Sequence, residues 1–185
     1  GAPLMLQDAP YNNLTLQFMT TSHRMVNTSD LNFQLVQNQM LPDSSTQVVY
    51  RLYAGSQDRY LQYTYTLHPG KYMLDFGIKA VGLQDVISPT DGNIFLLWHS
   101  QANQQERDSS LEQRYTQIYY GVNNEELDYF TLERTPNKDV GQPVQWLSFK
   151  QQFFNQAIIA DKNFSNVSYE SEVPKDSGGY IARTG

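Results

Sequence analysis

The chain has 185 residues, enough for one domain, and its 13 Tyr and 9 Phe favour strands over helices. A net charge of −6 disfavours binding to nucleic acid and to anionic lipid headgroups, because both need clustered Lys and Arg. The absence of Cys excludes disulfides, thiolate catalysis and Cys-ligated zinc.

Apolar residues alternate with a period of two along much of the chain, and helical periodicity is nearly absent. The first predicted strands cover residues 14–19 and 31–36, and residues 38–46 are predicted to form a loop. A meander of antiparallel strands follows, whose apolar rows begin at Val48, Leu61 and Tyr72. His68-Pro69-Gly70 supplies the reversal between the second and the third of these strands.

The second half of the chain continues the strand pattern, with strands predicted at residues 93–99, 115–120, 127–133 and 166–172. Residues 100–114 are polar and lack an apolar stripe, so they are predicted to be a long excursion or at most a short surface helix. Residues 174–185 are Gly-rich and weakly patterned, and we expect poor order there unless a partner strand holds them.

Residues 142–161 contain two apolar runs, 144–149 and 153–160, joined by the polar step Lys150-Gln151-Gln152. They carry a Trp, three Phe and two Ile. The chain shows no repeat or linker. The sequence therefore predicts a single domain over residues 1–185, all-β, folded as an antiparallel β-sandwich with little helix.

The sequence offers little for catalysis. The three His residues lack metal-binding spacing, and ordinary polar positions are the favoured interpretation for His23, His68 and His99. A solvated acidic surface is favoured over a glycosidase pair for the carboxylates Asp85, Asp91, Glu106, Asp108, Glu112, Glu125, Glu126 and Asp128. The chain has no Gly-x-Ser-x-Gly motif, phosphate-binding loop or dinucleotide fingerprint. We expect no catalytic residue, no cofactor and no metal.

Tyrosines form the remaining candidate surface. They could build a platform for sugar rings or a peptide, although core packing and cross-strand pairing are the favoured interpretation for Tyr60, Tyr63, Tyr65, Tyr72, Tyr115, Tyr119, Tyr120 and Tyr129.

The block WLSFKQQFF at residues 146–154, followed by AIIAD at 157–161, is too specific for a generic strand pattern. Other blocks precede it in order: PLML at 3–6, FMT at 18–20, VNTSDL at 26–31, YLQYTYTL at 60–67, YMLDF at 72–76 and RYTQIYY at 114–120. In this order, the blocks resemble the large periplasmic domain of YidC, the bacterial membrane protein insertase, in its Bacteroidetes-type form.

The resemblance implies a β-supersandwich with galactose-mutarotase-like architecture and no catalytic residues. It implies location on the periplasmic side of the bacterial inner membrane, with anchoring through membrane segments absent from this chain. SecD/SecF, other Sec translocon components and nascent membrane proteins are the implied partners. Family strands before Pro3, and closing strands and a helix after about Gly179, are expected to be missing. A chain truncated at both ends would expose sheet edges that invite self-association.

Two alternatives stay open at this point. One is a carbohydrate-binding or mutarotase-like sugar-active domain of the same sandwich fold, which needs a His and a carboxylate converging on one cleft. The other is a secreted surface domain with an unknown partner.

Overall fold

The computed structural model describes residues 11–89, 93–105, 107–122, 127–131, 137–173 and 181–185. Within these ranges the chain forms 14 β-strands, one short α-helix and one 3-10 helix. Every described strand pair is antiparallel. The predicted all-β antiparallel class is therefore confirmed. The described residues contain no helix with the length and apolar character needed to cross a bilayer.

The chain divides into two compact units. The meander unit is Thr15–Leu96, and the composite unit joins Gly1–Leu14 to Leu97–Gly185. The expectation of a single domain over residues 1–185 stays a prediction.

The strands of the meander unit are β1 Asn13–Met19, which begins in the composite unit, β2 Met25–Asn27, β3 Gln34–Met40, β4 Thr46–Tyr53, β5 Tyr60–Leu67 and β6 Leu74–Val81. Four of them form a sheet with the order β3-β4-β5-β6, and β1 pairs separately with β2. The predicted three-stranded meander is thus present as β4, β5 and β6.

The core of the meander unit lies on one face of this sheet, as the period-two pattern requires. Leu61 and Tyr63 of β5 pack there with Leu16 of β1 and with Leu83. Stacking of the Phe33 and Tyr63 rings, with centroids 4.5 Å apart, adds to the contact.

The composite unit contains two four-stranded groups, ordered β12-β11-β8-β9 and β10-β13-β14-β7. Its elements are β7 Phe95–Asn103, which begins in the meander unit, α1 Ser109–Tyr115, β8 Gln117–Val122, β9 Leu127–Thr131, β10 Asn137–Asp139, β11 Val144–Lys150, β12 Asn155–Phe164, β13 Ser168–Glu172 and β14 Ile181–Thr184.

These two groups pack face to face across one hydrophobic core. Tyr120, Val144 and Phe149 come from the first group, and Ala102 and Tyr169 from the second. Two antiparallel layers with a shared apolar interior make a β-sandwich, as the sequence predicted.

Several predicted boundaries were wrong. The strand predicted from residue 115 begins at Gln117, because Tyr115 ends helix α1, and the row predicted from Tyr72 becomes a strand only at Leu74. Residues 38–40 of the predicted loop belong to β3.

The strand predicted at 31–36 is β3 and runs to Met40, because a bulge between Leu35 and Gln37 interrupts the alternation on which the prediction relied. The strand predicted at 93–99 is β7 and extends to Asn103. Ser100 and Ala102, near the end of β7, are fully buried. Because one is polar and the other is small, the hydrophobic pattern did not predict that the strand continues through them.

The C-terminal stretch contains one described strand. Ile181–Thr184 forms β14, which pairs with β13 on one side and with β7 on the other. Residues 174–180 lie outside the described residues.

Glu112 was expected on a solvated acidic surface but is only 2% exposed. Helix α1 begins after Asp108, whose carboxylate accepts bonds from the N–H groups of Ser110 and Leu111. One turn later, both carboxylate oxygens of Glu112 accept from the N–H of Gln105, at 3.1 and 2.9 Å. The Glu112 side chain therefore links helix α1 to Gln105, two residues after the end of β7.

Glu112→Gln is expected to lower the free energy of unfolding by about 1 kcal/mol, because a neutral amide replaces a charged acceptor in a buried hydrogen bond. Urea denaturation measures the loss. Glu170→Gln, at an exposed position, should leave the midpoint nearly unchanged. Equal effects of the two substitutions would contradict a structural role for Glu112.

Candidate functional site

Two of the three His residues occupy ordinary polar positions. His23 lies in the turn between β1 and β2 with φ of 57°, and its N–H donates to the carbonyl of Thr20. His99 Nδ1 lies 2.9 Å from Asn13 Oδ1 within the composite unit. Neither arrangement brings a carboxylate to the imidazole.

Two of the carboxylates singled out in the sequence bind side chains near them. Asp85 pairs with Arg59, and Asp128 accepts a 2.6 Å bond from the Tyr120 hydroxyl. That bond holds the pKa of Asp128 below its usual value, while burial raises the pKa of Tyr120. Asp91, Glu106, Glu125 and Glu126 lie outside the described residues. Among the residues that are described, no group of three or more His, Asp or Glu could hold a metal ion.

His68 differs from the other two because it joins two loops through both ring nitrogens. Nδ1 lies 2.7 Å from the Ser45 hydroxyl, and Nε2 lies 2.8 Å from Asp75 Oδ2. Asp43 Oδ2 is 3.9 Å from Nδ1, and the Ser45 N–H bond to Asp43 lowers the pKa of that carboxyl. We call this group the His68 clamp; it fixes the β3–β4 connection to the β5–β6 connection.

The clamp has the residue types of a hydrolytic triad but not its accessibility. Ser45 is completely buried, so its hydroxyl cannot meet a substrate. The imidazole is occupied at both nitrogens, one of them by Ser45 itself. A structural clamp explains the geometry, and a general base does not.

The two clamped connections form one end of the meander sheet, which we call the double-hairpin tip (residues 40–46 and 67–75). Cross-strand pairing aligns Met40, Thr46, Leu67 and Leu74 in a single row across all four strands. Met40 is 75% exposed, and Leu67 and Leu74 are about half exposed. Tyr72 and Met73, in the adjoining connection, are exposed as well. The apolar side of the β3-β4-β5-β6 sheet therefore continues past the core residues, and its end at the tip is exposed to solvent.

A second apolar surface lies on the outer side of the β12-β11-β8-β9 sheet, opposite its core. Alternation places Trp146, Tyr119 and Tyr129 on that side, together with Leu127 and Ile159. We call these five residues the Trp146 face. The rings of Tyr119 and Tyr129 stack with centroids 5.4 Å apart, and Lys150 Nζ lies 5.8 Å from the Tyr119 centroid.

Gly121 lets Trp146 lie close to the sheet. The two residues face each other across β8 and β11, and a Cβ at position 121 would overlap the indole Nε1, Cε2 and Cδ1 atoms. Only a residue without a side chain permits this approach, so the Trp146 face has a closely packed centre.

The eight tyrosines singled out in the sequence divide between core and surface. Tyr63 and Tyr120 are buried, and Tyr72, Tyr115 and Tyr129 are exposed. The others are partly buried: Tyr60, Tyr65 and Tyr119. Sequence reasoning missed Leu127, Ile159 and Met40 as surface residues, although apolar residues on both faces of residues 144–149 were a signal for a second apolar surface.

Comparison with known proteins gives a consistent family. The family model described as the YidC periplasmic domain matches residues 3–184. The chain is 32% identical to the membrane protein insertase YidC of Phocaeicola vulgatus over 98% of its own length and 28% of that protein. It is 29% identical to the YidC of Parabacteroides distasonis over 92% of its own length and 26% of the relative. The chain thus spans about a quarter of these relatives. No solved structure matches.

Proposed function

Because this chain belongs to the family of YidC periplasmic domains, we propose that it is the periplasmic part of a membrane protein insertase at the bacterial inner membrane. In this proposal the chain is not an enzyme. It presents an interaction surface to SecD/SecF, to other Sec translocon components and to nascent membrane proteins. In this proposal insertion itself is carried out by other parts of the insertase; the chain corresponds to about a quarter of its relatives.

The Trp146 face is the observation that carries the proposal. The centres of protein interfaces are rich in Trp, Tyr and apolar side chains and poor in charge. The two rows of the sheet that contain the five residues of this face match that composition: Ile159, Trp146, Gly121 and Leu127 in one, and Ala157, Ser148, Tyr119 and Tyr129 in the other. The half-exposed side chains of Leu127, Tyr129 and Ile159 give a partner apolar area to cover.

The non-catalytic part of the proposal is supported by the His68 clamp. The described chain brings one His together with carboxylates, and there the partner Ser45 is buried and both ring nitrogens are engaged. Such a group is suited to holding loops together rather than to exchanging protons with a substrate.

Photocrosslinking tests the proposed partner surface. A photoreactive phenylalanine analogue at Tyr129, in the full-length insertase in bacterial cells, should yield adducts with SecD/SecF or other translocon components. Tyr115 is the matched control, because it is an exposed tyrosine of the same unit outside the Trp146 face. We expect the yield of adducts at position 129 to exceed that at position 115 by about tenfold, because a photoreactive side chain crosslinks only to a partner in contact with it.

Equal yields at positions 129 and 115 would contradict the proposal. So would saturable binding of galactose that is lost in Tyr129→Ala, which would instead make the face a sugar platform.

A further inference from the structure

The double-hairpin tip concentrates five large apolar side chains on one end of the meander unit. Tyr72 is 106% exposed, so it projects past its neighbours, and Met40, Leu67, Met73 and Leu74 are between 49% and 75% exposed. Single apolar side chains on a surface need no explanation, but a cluster of this kind marks a contact surface.

We propose that the double-hairpin tip inserts into the boundary between the headgroups and the acyl chains of a lipid bilayer. The inference rests on the proposed function, which holds the chain next to the inner membrane. Tyr72 fits this boundary because its ring is apolar and its hydroxyl can stay among the headgroups. Met40, Leu67 and Leu74 can then reach the acyl chains with flexible, uncharged side chains.

Four backbone N–H groups of the tip have partners within the tip, which lowers the cost of a place with little water, where unpaired polar groups are costly. The N–H groups of Leu41 and Ser44 donate within the β3–β4 connection, at 2.7 and 2.9 Å, and that of Lys71 donates to the His68 carbonyl. The N–H of Ser45 donates to the Asp43 carboxylate. Pro42 and Pro69 have no N–H to satisfy.

The charges around the tip favour a zwitterionic surface. The row Met40, Thr46, Leu67 and Leu74 carries no charge. Asp43 and Asp75 flank it and lie 3.9 and 2.8 Å from the His68 ring nitrogens. Lys71 is an exposed cation in the β5–β6 connection, so two acids face one lysine. A net charge of −6 opposes contact with anionic lipid, so binding should weaken as anionic lipid is added.

A second copy of the chain fits the tip less well. Two tips that met face to face would each bring two acids, Asp43 and Asp75, and one cation, Lys71, so both sides of the contact would carry an excess of negative charge. Both acids are more than half exposed, so their charges would remain near the contact. Like charges at an interface suppress association.

A fluorescence experiment can follow the tip directly, because the chain has no Cys and one introduced Cys gives one labelling site. Tyr72→Cys in the full chain is labelled with an environment-sensitive nitrobenzoxadiazole dye and titrated with phosphatidylcholine vesicles at millimolar lipid. We expect a blue shift and a rise in emission of about twofold or more as the dye leaves water. Phe153→Cys, an exposed position of the composite unit, should show no change.

A charge variant tests whether the apolar side chains cause the binding. Tyr72→Asp/Met73→Asp should lower the vesicle partition coefficient by roughly tenfold or more, measured by flotation. Met25→Asp/Phe153→Asp adds the same charge at exposed apolar positions outside the tip and should leave partition nearly unchanged. Both variants alter exposed side chains, so both should fold, which circular dichroism checks.

Unchanged emission at Tyr72→Cys with vesicles, or equal loss of partition in the two double variants, would overturn the inference. So would an emission change that requires a second copy and appears without lipid. Vesicle binding can fail while the Tyr129 crosslinks persist, which contradicts this inference alone. Missing crosslinks with intact vesicle binding contradict the proposed translocon partners instead.

Discussion

Replacing Gly121 with Ala is expected to lower the free energy of unfolding by about 2–3 kcal/mol, because the new methyl group would overlap the indole of Trp146. The indole ring is rigid, so it cannot move aside as the end of a flexible side chain such as Lys could. Gly121 is buried, so a methyl group added there has no solvent to point into. Urea denaturation followed by Trp fluorescence measures the shift.

Gly77→Ala is the matched control. Gly77 also lies in a strand, but a Cβ there would meet Thr64 Cβ at an ordinary 3.8 Å. Ala should be neutral or stabilise by about 0.5 kcal/mol at such a position, since Gly is a poor strand residue. Adding Trp146→Leu to Gly121→Ala should cost less than the sum of the single changes. Additive losses would show that the indole is not the obstacle.

Thr28→Val is expected to destabilise the meander unit by about 3 kcal/mol, because one buried hydroxyl serves three partners. Thr28 Oγ1 accepts from the N–H of Leu16 at 2.9 Å and lies 3.0 Å from Thr15 Oγ1 and 2.8 Å from the Tyr63 hydroxyl. Val has nearly the same shape but no polar atom. It leaves the Leu16 N–H buried without its acceptor.

Tyr63→Phe provides the comparison. It removes one of the three bonds and leaves Thr28 able to bind both Thr15 and the Leu16 N–H, so a loss of about 1 kcal/mol is expected. Burial raises the pKa of Tyr63, which keeps its hydroxyl protonated across the neutral range. Equal losses for Thr28→Val and Tyr63→Phe would mean that the Leu16 N–H finds another partner.

Local pattern was sufficient for the meander. Leu61, Tyr63 and Tyr65 alternate with polar residues, and His68-Pro69-Gly70 provides a turn with Gly70 at φ of 69°, so both the strands and their connection could be predicted. The same alternation located β11 and β12 around the Lys150-Gln151-Gln152 step. In these segments each residue's environment follows from its neighbours along the chain.

Long-range contacts decided what the sequence could not show. The predicted apolar row of β6 packs its Phe76 against the core but leaves Leu74 and Ile78 exposed, because exposure depends on how far the covering residues extend. His68 meets Ser45 across 23 positions, and the buried Glu112 carboxylate accepts from the backbone N–H of Gln105, seven residues earlier. No periodicity records such pairings, so the double-hairpin tip and the Trp146 face could not be delimited in advance.

The two compact units differ in when all of their residues have been synthesised, because one unit is continuous in sequence and the other joins two separate segments. Residues 15–96 are continuous, and neighbouring strands of the β3-β4-β5-β6 sheet are consecutive, so this unit has the local contact pattern that folds early. The composite unit must wait, since β7 acquires its neighbour β14 only when Ile181 reaches Asn103. During N-to-C-terminal synthesis and export, we therefore expect the meander unit to fold first and the composite unit to be completed only after β14 has emerged.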